Sequence, residues 1–159
     1  MQPLALALAG MLLALAAPSL AASSAEGRAA AAAAAKLAPG VRWQADSLLR
    51  ADIDCDGHDD LILLGKGQDE LVLLILPDHW HKKPLWWRQP WRDIALADLQ
   101  LSVEPLDVSD REFANMQGFV PEGYRRSSSC RGLLLNQGEI DPLHFYWNHQ
   151  RGQLSFWSL

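Results

Sequence analysis

The stretch Asp52-Ile53-Asp54-Cys55-Asp56-Gly57-His58-Asp59-Asp60 runs directly into Leu61-Ile62-Leu63-Leu64. Its five carboxylates are packed around one glycine, and like charges at that density repel unless a cation neutralises them. Ca²⁺, a hard ion that takes roughly six to eight oxygen ligands, is the natural candidate. Outward from this loop the pattern is β. Ser47-Leu48-Leu49-Arg50-Ala51 leads in, Leu61–Leu64 leads out, Gly65-Lys66-Gly67-Gln68-Asp69 turns, and Glu70-Leu71-Val72-Leu73-Leu74-Ile75-Leu76 is a further strand. The two apolar runs are continuous, which predicts strands buried on both faces.

Counted from Asp52, aspartate stands at positions one, three, five and nine, and Gly57 at position six. Alternate carboxylates in a tight loop converge on one centre, and glycine permits the positive φ that the reversal needs. An EF-hand would place a bidentate Glu at position twelve and leave into a helix. Here position twelve is Leu63 and the exit is a strand, so Asp60 supplies the closing carboxylate.

The D-x-D-x-D-G-x-x-D-L pattern over residues 47–76 resembles the calcium loop of FG-GAP repeats, the integrin-type propeller repeats and their VCBS-like bacterial relatives. The resemblance implies side-chain ligands Asp52, Asp54, Asp56 and Asp60, a backbone ligand from the His58 carbonyl, and Asp59 pointing outward. It also implies a calcium ion that braces a strand connection. A propeller needs about four blades or more, and the chain holds one clear repeat. The expected fold is therefore mainly β, a compact antiparallel domain with one blade-like hairpin.

The 159 residues divide into three parts. Residues 1–21 read as a signal peptide, with an apolar run from Met1 to Leu15 and small residues Ser19 and Ala21 before the cut. Residues 22–40 are alanine-rich and read as a marginal helix or a leader, with Ser23 and Glu26 resembling a capping box and Pro39-Gly40 a stop. Residues 41–159 are the β-rich domain. The export signal predicts a periplasmic or secreted protein with no membrane span after processing. In that setting Cys55 and Cys130 are expected to form a disulfide. It would clamp the loop to the C-terminal strands and stabilise by about 4 kcal/mol in the chain-entropy account. A formal net charge of −5 argues against a nucleic-acid partner.

Residues 77–92 carry three prolines and four tryptophans. Proline disfavours a helix or a central strand, leaving a loop or a short edge strand. Trp80, Trp86, Trp87, Arg88 and Trp91 form the candidate partner-binding surface, since tryptophan and arginine are enriched at interface hot spots. The competing reading is core packing, favoured for Trp86 and Trp91. His79 and His81 with Asp78 could bind a transition metal, but surface histidines explain them better, as they do His144 and His149. Beyond the loop, a strand or two is expected between Ile94 and Val103. A short helix capped by Ser109 and ended by Gly118 comes next, then a three-strand meander from Gly132 to Leu159.

No nucleophile–base pair, phosphate loop or haem motif stands out, so the sequence does not support enzymatic activity. The leading expectation is a non-enzymatic binding module whose partner is an unidentified envelope protein or a glycan. The alternatives are a carbohydrate-active protein using the Trp-rich segment, or a purely structural secreted domain.

Overall fold

The structure, a computed structural model, describes residues 20–78, 83–91, 95–138 and 140–159. The expected signal run lies outside these, apart from Leu20 and Ala21, as do His79, Trp80, His81, Arg92 and Glu139. The fold is mainly β, with two antiparallel sheets and two α-helices among the described residues. The first sheet contains β1 (Arg42–Trp43), β2 (Leu49–Ala51), β3 (Asp60–Lys66), β4 (Glu70–Leu76) and β5 (Leu85–Pro90). Strands β1 and β2 both pair with β3, and the order then runs β3-β4-β5. The second sheet is the meander β6 (Gln100–Leu106), β7 (Ser127–Gln137), β8 (Ile140–Asn148) and β9 (Gln153–Trp157).

The continuous apolar runs of β3 and β4 have a direct physical cause, because both faces of the first sheet are covered. Ile62, Leu64, Leu71, Leu73 and Ile75 point to the second sheet, where Leu133, Leu135 and Phe145 complete the main core. Leu63 and Leu74 point the other way and pack on Ala30 and Ala34 of helix α1 (Leu20–Leu37). The layers are thus helix, sheet, sheet.

The alanine-rich segment is a helix, one of the two forms its composition suggests, and it is packed against the first sheet. Its packing face is built from Ala30, Ala34 and Ala38, all buried. Leu37, its one large apolar residue beyond position 22, is 51% exposed. Small side chains let the helix approach closely, and the sheet supplies the bulk through Leu63, Leu74, Trp43 and Leu76. A Cβ at Gly27 would run into the Ala45 carbonyl. Glu26 pairs with Arg50 of β2. Ser23 lies within α1, not at an N-cap position.

The second helix, α2 (Asp110–Gln117), follows its sequence signals. Ser109 accepts from the Glu112 N–H while the Glu112 carboxylate takes the Ser109 N–H, and Gly118 closes the helix in the left-handed region. Phe113 of α2 is buried edge-on against Tyr124 and Trp157 on the outer face of the second sheet. The expected three-strand C-terminal meander is β7-β8-β9, and β6, in the region where a further strand was expected, extends it to a four-stranded sheet. Strand β7 begins at Ser127, because the polar Ser127–Ser129 run continues the ladder opposite Leu106 through an irregularity.

Candidate metal centre

The acidic loop, residues 52–59, is a hairpin connection: Ala51 of β2 pairs with Asp60 of β3. Its turn is fixed by its own side chains. Asp52 Oδ1 accepts from the Asp56 N–H at 3.1 Å and Oδ2 from the Gly57 N–H at 3.1 Å. Asp54 Oδ1 accepts from the same Asp56 N–H at 3.2 Å, and Asp56 Oδ1 from the His58 N–H at 2.9 Å. Gly57 lies at φ 89°, as the reversal requires, and Cys55 is held in the left-handed region at φ 61°. A non-glycine residue there costs on the order of 1 kcal/mol, so the surroundings must hold it.

Two links to the second sheet do so. Cys55 is disulfide-bonded to Cys130 of β7, with Cα atoms 5.0 Å apart. The neighbouring Arg131 N–H donates to the Asp52 carbonyl at 2.8 Å. The expected disulfide is therefore present, and it clamps the loop to the C-terminal strands.

Asp52, Asp54 and Asp60 are all buried, and they bring carboxylate oxygens within 4.8 Å of one another. Asp60 is fully buried. Its Oδ2 accepts from the Ile53 N–H at 2.9 Å and the Asp54 N–H at 3.3 Å. Its Oδ1 has no hydrogen-bond partner among the described residues. An orphaned buried carboxylate oxygen is costly. Burial pushes the Asp60 carboxyl up to about 6, with the Asp54 and Asp56 charges adding to the effect and the two backbone hydrogen bonds opposing it.

These donors fit a hard cation. Two oxygens each about 2.4 Å from one ion are at most about 4.8 Å apart, and the triad's oxygens lie within that limit of one another. All donors are oxygens, and the neighbouring sulfur is tied up in the disulfide. Such a set suits Ca²⁺ better than a thiophilic metal. Asp56, the fourth expected side-chain ligand, is half-buried in the same loop but lies outside the triad. The His58 side chain and Asp59 are exposed, Asp59 as expected.

The Trp-rich segment is an edge strand, one of the two forms expected for it. Strand alternation separates its aromatics. Trp87 points into the main core at 9% exposure and meets Phe145 and Phe156 edge-on at 4.9 and 5.9 Å. Trp91 packs partly against the same core. Trp86 points to the opposite face, near Trp43, and is 36% exposed, which reverses the core reading for that residue. Arg88 lies 5.1 Å over the Trp86 ring and pairs with Glu70. Of the candidate partner residues, Trp86 and Arg88 stand on the surface, Trp87 and Trp91 are packed, and Trp80 lies outside the described residues.

His144 is not the surface histidine its sequence context suggests. Its ring stacks on Trp157 at 3.9 Å and 5°. Its Nδ1 lies 3.0 and 3.1 Å from the two Glu104 carboxylate oxygens. No sequence signal marked this pair, because its members are forty residues apart. His149 fits its expected turn, where burial and Arg125 hold its imidazole below the usual range.

Fold and site together describe a helix-covered, two-sheet antiparallel β domain with a disulfide-anchored acidic hairpin. A comparison with protein-family models, curated proteins and solved structures finds no match to this chain. Among the described residues no helix is long and apolar enough to cross a membrane.

Proposed function

We propose that this chain is an exported, non-enzymatic binding module whose acidic hairpin carries a structural Ca²⁺ ion of the FG-GAP kind. The observation that carries the calcium reading is the orphaned Asp60 Oδ1, fully buried and grouped with the Asp52 and Asp54 carboxylates. Bound calcium would satisfy that oxygen and neutralise the triad, with Asp56 and the His58 carbonyl completing the shell. The ion's task is to hold the β2–β3 connection. The loop is anchored to both sheets, so it has little freedom to act as an opening switch. Two features support the FG-GAP reading: β2 to β5 form a four-stranded antiparallel meander, as a propeller blade does, and the acidic loop joins its first two strands.

The disulfide supports an oxidising, periplasmic or secreted setting. The partner surface is the exposed face of the β5 edge, where Trp86 and Arg88 form a cation–π pair. The carbohydrate reading needs neighbouring tryptophan faces open to a sugar. Among the described residues Trp86 is the one exposed tryptophan, so a protein partner is the better fit.

Isothermal titration with CaCl₂ tests the proposal. Wild type should bind one ion, and Asp54→Ala should weaken binding at least about tenfold, the loss of one charged ligand. Absence of heat from the folded wild-type protein would refute the calcium reading. For the surface, envelope proteins retained by wild type should be lost from Trp86→Ala/Arg88→Ala. An unchanged set would dismiss that edge.

A further inference from the structure

The outer face of the second sheet holds a second constellation, independent of the metal loop. A cavity of about 120 Å³ there is lined by Glu104, Asp107, Tyr124, His144 and Trp157, among others. Its residues come from β6, β8, β9 and the β6–β7 connection. A glycine makes the arrangement possible. Gly132 of β7 sits opposite Glu104 in the ladder, between β6 and β8. A Cβ on Gly132 would lie 2.7 Å from the Phe145 carbonyl oxygen and 3.3 Å from Glu104 Cγ. Without it, the Glu104 side chain crosses β7 and reaches His144 on β8 at 3.0 Å.

A carboxylate can only accept, so His144 Nδ1 carries the shared proton. Both Glu104 oxygens face that one N–H, so acceptor lone pairs of the carboxylate remain for a ligand. Asp107 adds a second negative charge, and among the described residues no Lys or Arg lines the cavity. Arg126 lines the adjoining depression together with Glu112. Tyr124 Oη is buried and closes no hydrogen bond of normal geometry among the described residues, and burial pushes its phenol up to about 12, against the opposing pull of the nearby Val108 backbone, so it stays a neutral hydroxyl. The two carboxylate charges repel an anion here. An organic cation would find charge-assisted acceptors and π-faces together.

We propose that this cavity binds a primary ammonium or guanidinium group, with Glu104 as its charge partner, Tyr124 Oη as a hydrogen-bond acceptor and Trp157 as an aromatic wall. His144 is a positioning residue that orients the Glu104 carboxylate. The cavity's size admits one such headgroup, which either a free amine or a lysine or arginine side chain of a partner would supply.

The test is a ¹H–¹⁵N NMR titration following the Trp157 indole and His144 resonances of the full disulfide-bonded protein. The probes are n-butylammonium and a capped Gly-Lys-Gly peptide, against butyrate and n-butanol of matching size. Saturable shifts with either cation, none with the controls, and roughly tenfold or greater weakening in Glu104→Gln support the site. A tighter butylammonium arm then assigns a free amine, and a tighter peptide arm a protein side chain. Tyr124→Phe, which keeps the ring and loses only the hydroxyl, should weaken binding about threefold or more, and it carries the test if Glu104→Gln does not fold. Shifts that butanol reproduces, no saturation with either cation, or full affinity in the folded variants would overturn the proposal.

Discussion

Two interstrand connections flank the Cys55–Cys130 bridge, and they build their chemistry in opposite ways. Residues 52–59 join β2 to β3 in a tight turn made of consecutive carboxylates held by their own backbone. Residues 107–126 join β6 to β7 by a long excursion that includes α2. The polar groups around that second connection come from separate strands. Both meet in one small apolar cluster, where Cys55, Tyr124 and Trp157 pack on Leu106, Cys130 and Tyr146. A local site is specified by spacing within one loop. A dispersed site depends on the register of a whole sheet, and here on one missing side chain at Gly132.

Removing what the two connections share should have the largest effect. Replacing both cysteines, Cys55→Ala with Cys130→Ala, opens a loop of 75 residues and is expected to cost about 4 kcal/mol in urea unfolding. If the variant unfolds at the wild-type midpoint, the bridge is not the common anchor.

Asp60→Asn should act with opposite signs in two conditions. In chelator at pH 7 it removes the energy needed to ionise a buried carboxyl raised to about 6, a gain of at most about 3 kcal/mol. With calcium present it removes a ligand and destabilises. The same sign in both buffers would mean that Asp60 does not face a cation.

The pH dependence follows from the same shift. The folded-state value of Asp60 is raised above its unfolded one, so the metal-free native state binds more protons between about pH 4 and 6. Metal-free stability should therefore fall as pH rises through that window. Calcium should remove the fall, because the ion replaces the proton. Urea midpoints across pH, with and without EGTA, measure both.

The smallest expected effect belongs to the dispersed connection. Gly132→Ala pushes a methyl group towards the Phe145 carbonyl and Leu106, 2.7 and 2.8 Å away, and should cost about 1–3 kcal/mol. It should also break the Glu104–His144 contact, visible as a shifted His144 imidazole resonance, while calcium binding at the hairpin stays unchanged. Equal losses at both sites would erase the distinction between them.

The same contrast explains what could be read from the chain. Asp52, Asp54 and Asp60 announced themselves because the ligands of one loop are neighbours in sequence. The continuous runs of β3 and β4 revealed burial on both faces, although the runs do not say what covers them. The first helix was legible from its alanines, but its packing as a layer was not, because its contact face is alanine, whose small size reads as propensity and not as packing. Trp86 and Trp87 are adjacent, and only strand register decides which one enters the core. The Glu104–His144–Trp157 group was invisible for the same reason: His144 pairs with Trp157 and Glu104 with Gly132 only once the ladder is fixed.

The central claim is that the acidic hairpin holds a structural cation, and thermal melting of the disulfide-bonded protein at pH 7 tests it most directly. Wild type should melt at a higher temperature in excess CaCl₂ than in EGTA, and Asp54→Ala should gain markedly less from calcium than wild type does. Superimposable wild-type melts, with Asp54→Ala no less stable than wild type in calcium, would contradict the claim.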